Sequence, residues 1–491
     1  MIITINNFGP VRQCTLDLSK DFHLLVGKNN IGKSYAITAA YLIVKTFNEI
    51  GSNDIGYYSL GQMYFHSDLS LDDSLENILK TGENLKQGKE IEVTSLVKNM
   101  IKSTFQKQLS QQLLNSFVNT FNSLDYLKNR YNSESPTFSI SSKNVRLDFT
   151  VTDKSIDVTN LEIDTIYYIK KIKQNRSPHI KDNKCTLYFN EGKEREFIQA
   201  FVVECLMRTI QGFISDFNSI INTVHYLPAS RSGLYQALSA FGQIIAELSK
   251  NRSFLSKKIE LPGISEPVSD YFIRLSDIKV RKRTFEDKTL NDLAKEIEDK
   301  ILNGKVEFNS QTKQLMFYPN NTDLKLELSS TSSMVSELAP IVSYLRYVLT
   351  ESGNKAILPP WVRRKRTRTS NVRRPSHLIM IEEPEAHLHP EIQLLLTTIF
   401  AKLVKANIKL IITSHSNFIF NKVNNLIMSG DLKVDSVYAG VFKSTVTGAV
   451  VNSLEIDELG VEDDNFSDPT RILFEEKLDI IDKHNEEQEE A

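Results

Sequence analysis

Eight residues near the start of the chain, Gly27-Lys28-Asn29-Asn30-Ile31-Gly32-Lys33-Ser34, carry the spacing G-x-x-x-x-G-K-[ST]. Glycines at both ends of such a loop let successive backbone N–H groups turn inward, with Asn29 and Asn30 between them. The following helix offers its positive end to a polyphosphate. Lys33 is then placed to bridge β- and γ-phosphates, and the Ser34 hydroxyl to take a Mg²⁺ coordination position. Far downstream the apolar run Leu378-Ile379-Met380-Ile381 ends in Glu382-Glu383. Paired acids at a strand end suit metal-assisted hydrolysis, Glu382 holding the metal through water and Glu383 polarising the attacking water. Taken alone they equally suit a solvated strand end. A third run, Lys409-Leu410-Ile411-Ile412-Thr413, leads into Ser414-His415-Ser416. His415 would reach a γ-phosphate if this strand lies beside the Glu382 strand; otherwise it is a structural histidine.

These groups need elements to hold them. Ile2–Ile5 and Cys14–Leu18 alternate as half-buried strands around the turn residues Asn7-Phe8-Gly9-Pro10. His23–Val26 reads as a short buried strand running into the loop, and Lys33 to about Ile50 has a helical apolar face. From Gly51 to Ser219 a polar helical stretch, Leu96–Tyr131, precedes the strand-like runs Thr137–Ile140, Val145–Val151 and Ile156–Val158. That segment reads as a mixed insertion, without the sustained heptads of a coiled-coil arm. Val306–Leu328 alternates as a hairpin, Val335–Leu349 is helix-like, and Glu391–Val404 is a helix. The implied organisation is 1–50 and 376–450 as the two parts of an α/β head, 51–220 as insertion, 221–375 as a second lobe, and 451–491 as a terminal segment.

The three motifs together resemble the ABC-type ATPase heads of the SMC and OLD-like families. Glu382-Glu383-Pro384-Glu385-Ala386-His387-Leu388-His389-Pro390 is similar to the OLD-like version, which leads with Glu where most ABC proteins have Asp. The resemblance implies a mixed-sheet ABC-type head that binds ATP and Mg²⁺. It makes Ala386–Pro390 a D-loop facing a neighbouring subunit; His387 and His389 as metal ligands would lack a third partner and a shared helix face. It also implies a signature element that closes the site in trans. Leu328-Ser329-Ser330-Thr331-Ser332-Ser333-Met334 is the candidate, with Ser332 and Ser333 offered to another protomer's nucleotide. Met334 stands where the family usually has glycine; a serine-rich helix cap is the plainer alternative. Pro228-Ala229-Ser230-Arg231 is similar to the P-A-x-R element of OLD-like ATPases, in which Arg231 either contacts nucleotide or buttresses the two lobes.

Composition narrows the partners. A formal net charge of −2 points to no polyelectrolyte partner for the whole chain. Cys14, Cys185 and Cys205 lack metal-ligand spacing, and no targeting or membrane-spanning stretch is visible, so a cytoplasmic protein is expected. Between Lys355 and Arg374 lie eight cationic residues and no acid. This run suits a phosphate backbone or an acidic protein, or is simply a solvated loop. Many OLD-like relatives continue into a Toprim nuclease domain, but beyond His415 no D-x-D cluster on an α/β pattern appears. The resemblance therefore runs to stand-alone ATPase subunits of antiphage systems such as PARIS and Septu. It implies a homodimer or larger homo-oligomer, a separately encoded effector nuclease, a phage protein or nucleic acid as trigger, and no membrane. An SMC-like DNA-repair or chromosome-associated ATPase is the alternative.

Overall fold

The run Phe22-His23-Leu24-Leu25-Val26 forms β3 (Phe22–Gly27), buried along its whole length. That burial follows from its place: β16 (Ile408–Ser414) and β17 (Val437–Thr445) flank it in parallel. Helices cover both faces, so near-continuous apolar character is what such a strand needs. Successive side chains leave it in opposite directions. Leu25 enters a core with Ile37, Phe47 and Phe117, while Leu24 and Val26 enter another with Leu338, Phe400 and Phe420.

The computed structural model describes residues 1–52, 73–173, 179–181, 183–190, 198, 205, 209–210, 212–229, 231–235, 264–278, 280, 285–351, 376–461 and 471–481. Its main sheet has 11 strands in the order β11-β15-β16-β3-β17-β18-β2-β1-β5-β6-β7. Strands β11 (Ile221–Leu227), β15 (Ser376–Glu382), β16, β3 and β17 are mutually parallel. Next, β18 (Gly448–Ser453) pairs antiparallel with β17 and parallel with β2 (Val11–Asp17). From β2 through β1 (Ile2–Phe8), β5 (Thr137–Ser141), β6 (Val145–Val151) and β7 (Ile156–Ile163) the sheet is antiparallel. The fold is thus α/β with a mixed sheet and a phosphate-loop helix, α1 (Lys33–Ser52).

The stretch read as an insertion is only partly separate. Its strands β5–β7 extend the head's own sheet through the pairing of Ile2–Asn6 with Thr137–Ser141. The remainder forms α2 (Asp73–Glu83), α3 (Thr94–Phe121) and a four-stranded sheet of β4 (Glu90–Glu92), β8 (Ile166–Lys171), β10 (Lys184–Phe189) and β9 (His179–Lys181). Helix α3 is shorter than the expected Leu96–Tyr131, because Asn122 turns out of the helix at φ 66°. It lies against β7 and α1 instead of projecting as an arm.

After α4 (Glu266–Ser276) and α5 (Phe285–Ile297), the expected hairpin is a three-stranded sheet. Its strands are β12 (Gly304–Asn309), β13 (Gln314–Pro319) and β14 (Leu326–Glu327). It delivers the chain through Leu328–Ser330 into α6 (Ser333–Ser343). Helices α7 (Pro390–Lys405) and α8 (Asn417–Met428) follow β15 and β16.

His23 is the polar exception in β3. Its Nε2 lies 2.9 Å from the Asp17 carbonyl, and burial pushes its pKa down to about 4. The unfolded chain gains a proton there near pH 6.5, whereas the fold refuses it until about pH 4. Stability therefore falls as acid passes through that window, by roughly 3 kcal/mol for this residue. His23→Gln should make the decline of urea midpoints between pH 7 and pH 4 shallower; parallel curves for the two proteins would refute the assignment.

Candidate active site

Parallel strands end on the same side of a sheet, so β3, β15, β16 and β11 deliver their following loops to one edge. Register makes this concrete: Val26 pairs with Ser414, Thr413 with Glu382, and Ile381 with Leu227. The phosphate loop, the paired glutamates, His415 and the Pro228–Arg231 turn consequently emerge side by side, at the end of an α/β sheet where ligands bind.

The loop has the backbone that its glycines permit. Gly27 sits at φ 153° and Gly32 at φ 108°, and Asn30 is left-handed at φ 60°. A Cβ on Gly32 would lie 2.8 Å from Val11 and 2.9 Å from Pro10, so the β1–β2 turn supports the loop from beneath. Asn29 and Asn30 are exposed. Lys33 is buried, with Nζ donating to the carbonyls of Gly27 (3.0 Å) and Lys28 (2.9 Å) and lying 3.4 Å from His415 Nδ1. Burial pushes its pKa down to about 8, against the opposing pull of Glu383, Glu385 and Glu382.

Ser34 Oγ donates to Glu382 Oε2 over 3.0 Å. The other oxygen of Glu382 accepts from Tyr226 on β11, whose hydroxyl lies 2.9 Å from Thr38 Oγ1 on α1. Burial raises the Glu382 pKa to about 7; the Glu383 charge adds to the rise, while the Ser34 hydrogen bond and Lys33 oppose it. A desolvated carboxylate facing a hydroxyl, beside a buried lysine, is a site short of positive charge, which a divalent cation fits. Among the described residues no cluster of three or more His, Cys, Asp or Glu could hold a metal. A Mg²⁺ here would be held by Ser34 and Glu382 with phosphate oxygens and water completing its shell.

Glu383, just past β15, adopts φ 42°, a left-handed conformation that costs about 1–3 kcal/mol in a non-glycine residue. Its N–H is fixed by the Thr413 carbonyl at 3.0 Å. Its carboxylate lies 3.3 Å from His415 Nε2, and that contact leads the effects that hold its pKa below the usual carboxylate value. Glu385 holds the histidine loop from the other side, accepting from Ser414 Oγ (2.9 Å) and His415 N–H (2.6 Å). Its second oxygen is buried with no hydrogen-bond partner among the described residues.

Lys33, Ser34, Glu382, Glu383 and His415 thus meet in one constellation. Arg231 sits elsewhere than on a phosphate: it is fully buried and donates to the carbonyls of Glu382 (2.7 Å) and Glu383 (3.3 Å). It also pairs with Glu337 on α6, so its contacts span the end of β15 and the second lobe. Ser332 caps α6 by accepting from Val335 N–H, and Ser332 and Ser333 are both exposed at that helix end. His387 and His389 are exposed, and His389 caps α7. The basic run 355–374, Ser230 and the acidic residues beyond 481 lie outside the described residues. Sequence reading assigned no role to Tyr226, Thr38 or Glu385. Glu385 carried a signal as the third acid of the Glu382–Pro390 run, whereas Tyr226 looked like any strand aromatic.

Solved structures of similar shape include an SMC head bound to the C-winged helix domain of ScpA (TM-score 0.35, 10% identity, 93% of this chain and 98% of that one). The SMC head domain from Thermotoga maritima gives 0.35 at 9% identity, covering 93% and 98%. An SMC head domain with an extended coiled coil, bound to the C-terminal domain of ScpA derived from Pyrococcus furiosus, gives 0.37 at 10% identity, covering 97% and 98%. No curated protein matches. Among the described residues no helix is long and apolar enough to cross a membrane. The family model for the AAA ATPase domain matches residues 1–420, a span that takes in the phosphate loop, the paired glutamates and His415, and the chain belongs to that family.

Proposed function

We propose that the chain is an ATP-hydrolysing subunit whose heads associate around ATP and thereby control a separate effector nuclease in antiphage defence. The observation that carries the ATPase part is the meeting of Lys33, Ser34, Glu382, Glu383 and His415 at one strand edge. Lys33 leaves the loop carbonyls to hold the γ-phosphate, and Ser34 and Glu382 hold Mg²⁺, which would neutralise developing phosphate charge. Glu383, ionised at neutral pH, takes the proton of the attacking water, and His415 fixes its carboxylate. The exposed Ser332–Ser333 end of α6 presents N–H groups and hydroxyls to the nucleotide of a second copy.

A separate effector would find an apolar surface on the helix at 471–481, where Leu473, Phe474 and Leu478 are exposed. The run of cations at 355–374 supports a second reading, an SMC-like ATPase that binds duplex DNA.

ATP, but not ADP, should double the mass of the purified protein in sedimentation. Ser333→Arg should bind ATP as the wild type does yet remain a single copy. The wild-type protein with Mg²⁺ and ATP should cleave none of a panel of DNA and RNA substrates. Equal association with ADP would sink the head-pairing reading, and cleavage by protein freed of co-purifying nuclease would sink the effector reading.

A further inference from the structure

We propose that Arg231 and Glu337 form a positioning pair that couples the signature end of α6 to the catalytic end of β15 within one chain. This rests on the head-pairing reading above. Contact at Ser332–Ser333 in one site then adjusts Glu383 in the other.

The path is continuous and made of short contacts. Ser336 Oγ lies 2.9 Å from the Leu328 carbonyl, 3.1 Å from the Ser332 carbonyl and 3.0 Å from Thr331 Oγ1, so the signature turn and the first turn of α6 move as one. The next residue, Glu337, faces Arg231: Oε2 is 3.1 Å from Nη2, and both side chains are 0% exposed. Glu337 Oε1 also accepts from Ser232 Oγ at 2.8 Å. Arg231 directs its other donors to backbone carbonyls, two of them at the end of β15. Nη1 reaches the carbonyls of Glu382 (2.7 Å) and Pro228 (3.1 Å), Nη2 reaches Glu383 (3.3 Å), and Nε reaches the Glu337 carbonyl (3.4 Å). The guanidinium therefore grips the peptide on either side of the one acid held at φ 42°.

Stability alone does not call for such a pair. Burying two charges costs several kcal/mol each before their attraction returns it, and an apolar pair of similar volume often does as well. What apolar side chains cannot supply is the planar fork that fixes two successive carbonyls. Pro340 adds freedom at the other end. It lacks the N–H that would bond the Ser336 carbonyl, leaving the first turn of α6 less tightly tied to the rest of the helix. A shift of that turn pulls on Glu337, then on Arg231, then on the Glu382–Glu383 peptide.

The test is the double variant Arg231→Met/Glu337→Leu in the full chain. We expect a cooperative thermal transition, wild-type ATP stoichiometry, wild-type KM and ATP-driven association, with kcat reduced about 10- to 100-fold. Arg231→Lys keeps the charge facing Glu337 but not the fork, and its kcat should fall between the two. A pair that only held the fold together would lower the fraction of chains that bind ATP and leave kcat per bound site unchanged; that result overturns the coupling. So does a kcat within twofold of wild type. If the double variant loses its cooperative transition, Glu337→Gln decides instead: it keeps the volume and the Ser232 contact but not the charge. The expected result is the same kcat loss with ATP binding retained, and wild-type kcat overturns the pair. Absence of ATP-driven association in the wild type overturns head pairing and this coupling together, whereas association with unchanged kcat in the variants removes only the coupling.

Discussion

Glu383→Gln should bind ATP with wild-type affinity and hydrolyse it at least about 100-fold more slowly, the usual loss when a general base is removed. The substitution is nearly isosteric, and its amide oxygen can still accept from His415 Nε2, which lies 3.3 Å away in the native site. What it loses is basicity. The native carboxylate is held ionised, first by the His415 hydrogen bond and also by the charges of Lys33 and Arg231, against a desolvation that works the other way. It is also the less buried of the two acids. Glu382 is buried with one oxygen on Ser34 and the other on Tyr226, a placement that suits holding a cation beside the phosphate loop and leaves neither oxygen free to take water's proton. Glu382→Gln should therefore raise the Mg²⁺ concentration needed for Mg²⁺-dependent ATP binding, while Glu383→Gln leaves that requirement unchanged. With ATP bound and turnover stalled, the Glu383 variant should accumulate as the associated form. Single-turnover phosphate release, equilibrium ATP binding and sedimentation measure the three effects. Wild-type turnover in Glu383→Gln would remove this residue from the role of base.

Much of this site is legible in the sequence because its key segments are local. Gly27–Ser34 specifies its own backbone, and the strands before Glu382 and His415 are apolar enough to announce burial. Their side-by-side placement needs only that the strands run parallel, which the register of Val26, Ser414 and Glu382 delivers. The contacts that tune the site are harder to see. Tyr226 bonds Glu382 across 156 positions of chain, and nothing in a buried strand tyrosine marks it for that partner. The P-A-x-R likeness leaves Arg231 open between nucleotide contact and buttress; its 0% exposure and its carbonyl partners Glu382 and Glu383, which depend on tertiary packing, are not legible in the sequence. The strands β5–β7 pose another limit. Alternation says that one face of each is buried, but not which sheet they join, and the pairing of β5 with β1 is settled only by tertiary packing.

Lys33→Ala should weaken ATP binding by at least roughly 30-fold without weakening the nucleotide-free fold. In the native loop Lys33 Nζ is held by the Gly27 and Lys28 carbonyls at 3.0 and 2.9 Å, poised where a γ-phosphate would sit above the loop. Removing the cation that meets a buried anion costs about 2–5 kcal/mol, which is roughly 30- to several-thousand-fold in affinity. The effect on the empty protein has the opposite sign. A lysine whose pKa falls to about 8 is one whose charged form the fold disfavours, because desolvation outweighs the attraction of Glu383, Glu385 and Glu382. At pH 7 the native state carries that penalty, and alanine removes it. The nucleotide-free variant should therefore melt at or above the wild-type temperature. Adding Mg²⁺ and ATP, which should raise the wild-type midpoint in proportion to the logarithm of ligand over Kd, should raise the variant's midpoint less. Lys33→Arg should also bind ATP poorly, since the broader, planar guanidinium does not fit the buried space that a compact ammonium occupies. An ATP-dependent rise in the melting temperature of Lys33→Ala equal to that of the wild type would show that nucleotide is held elsewhere. A variant that melts well below the wild type without nucleotide would show that the lysine braces the loop.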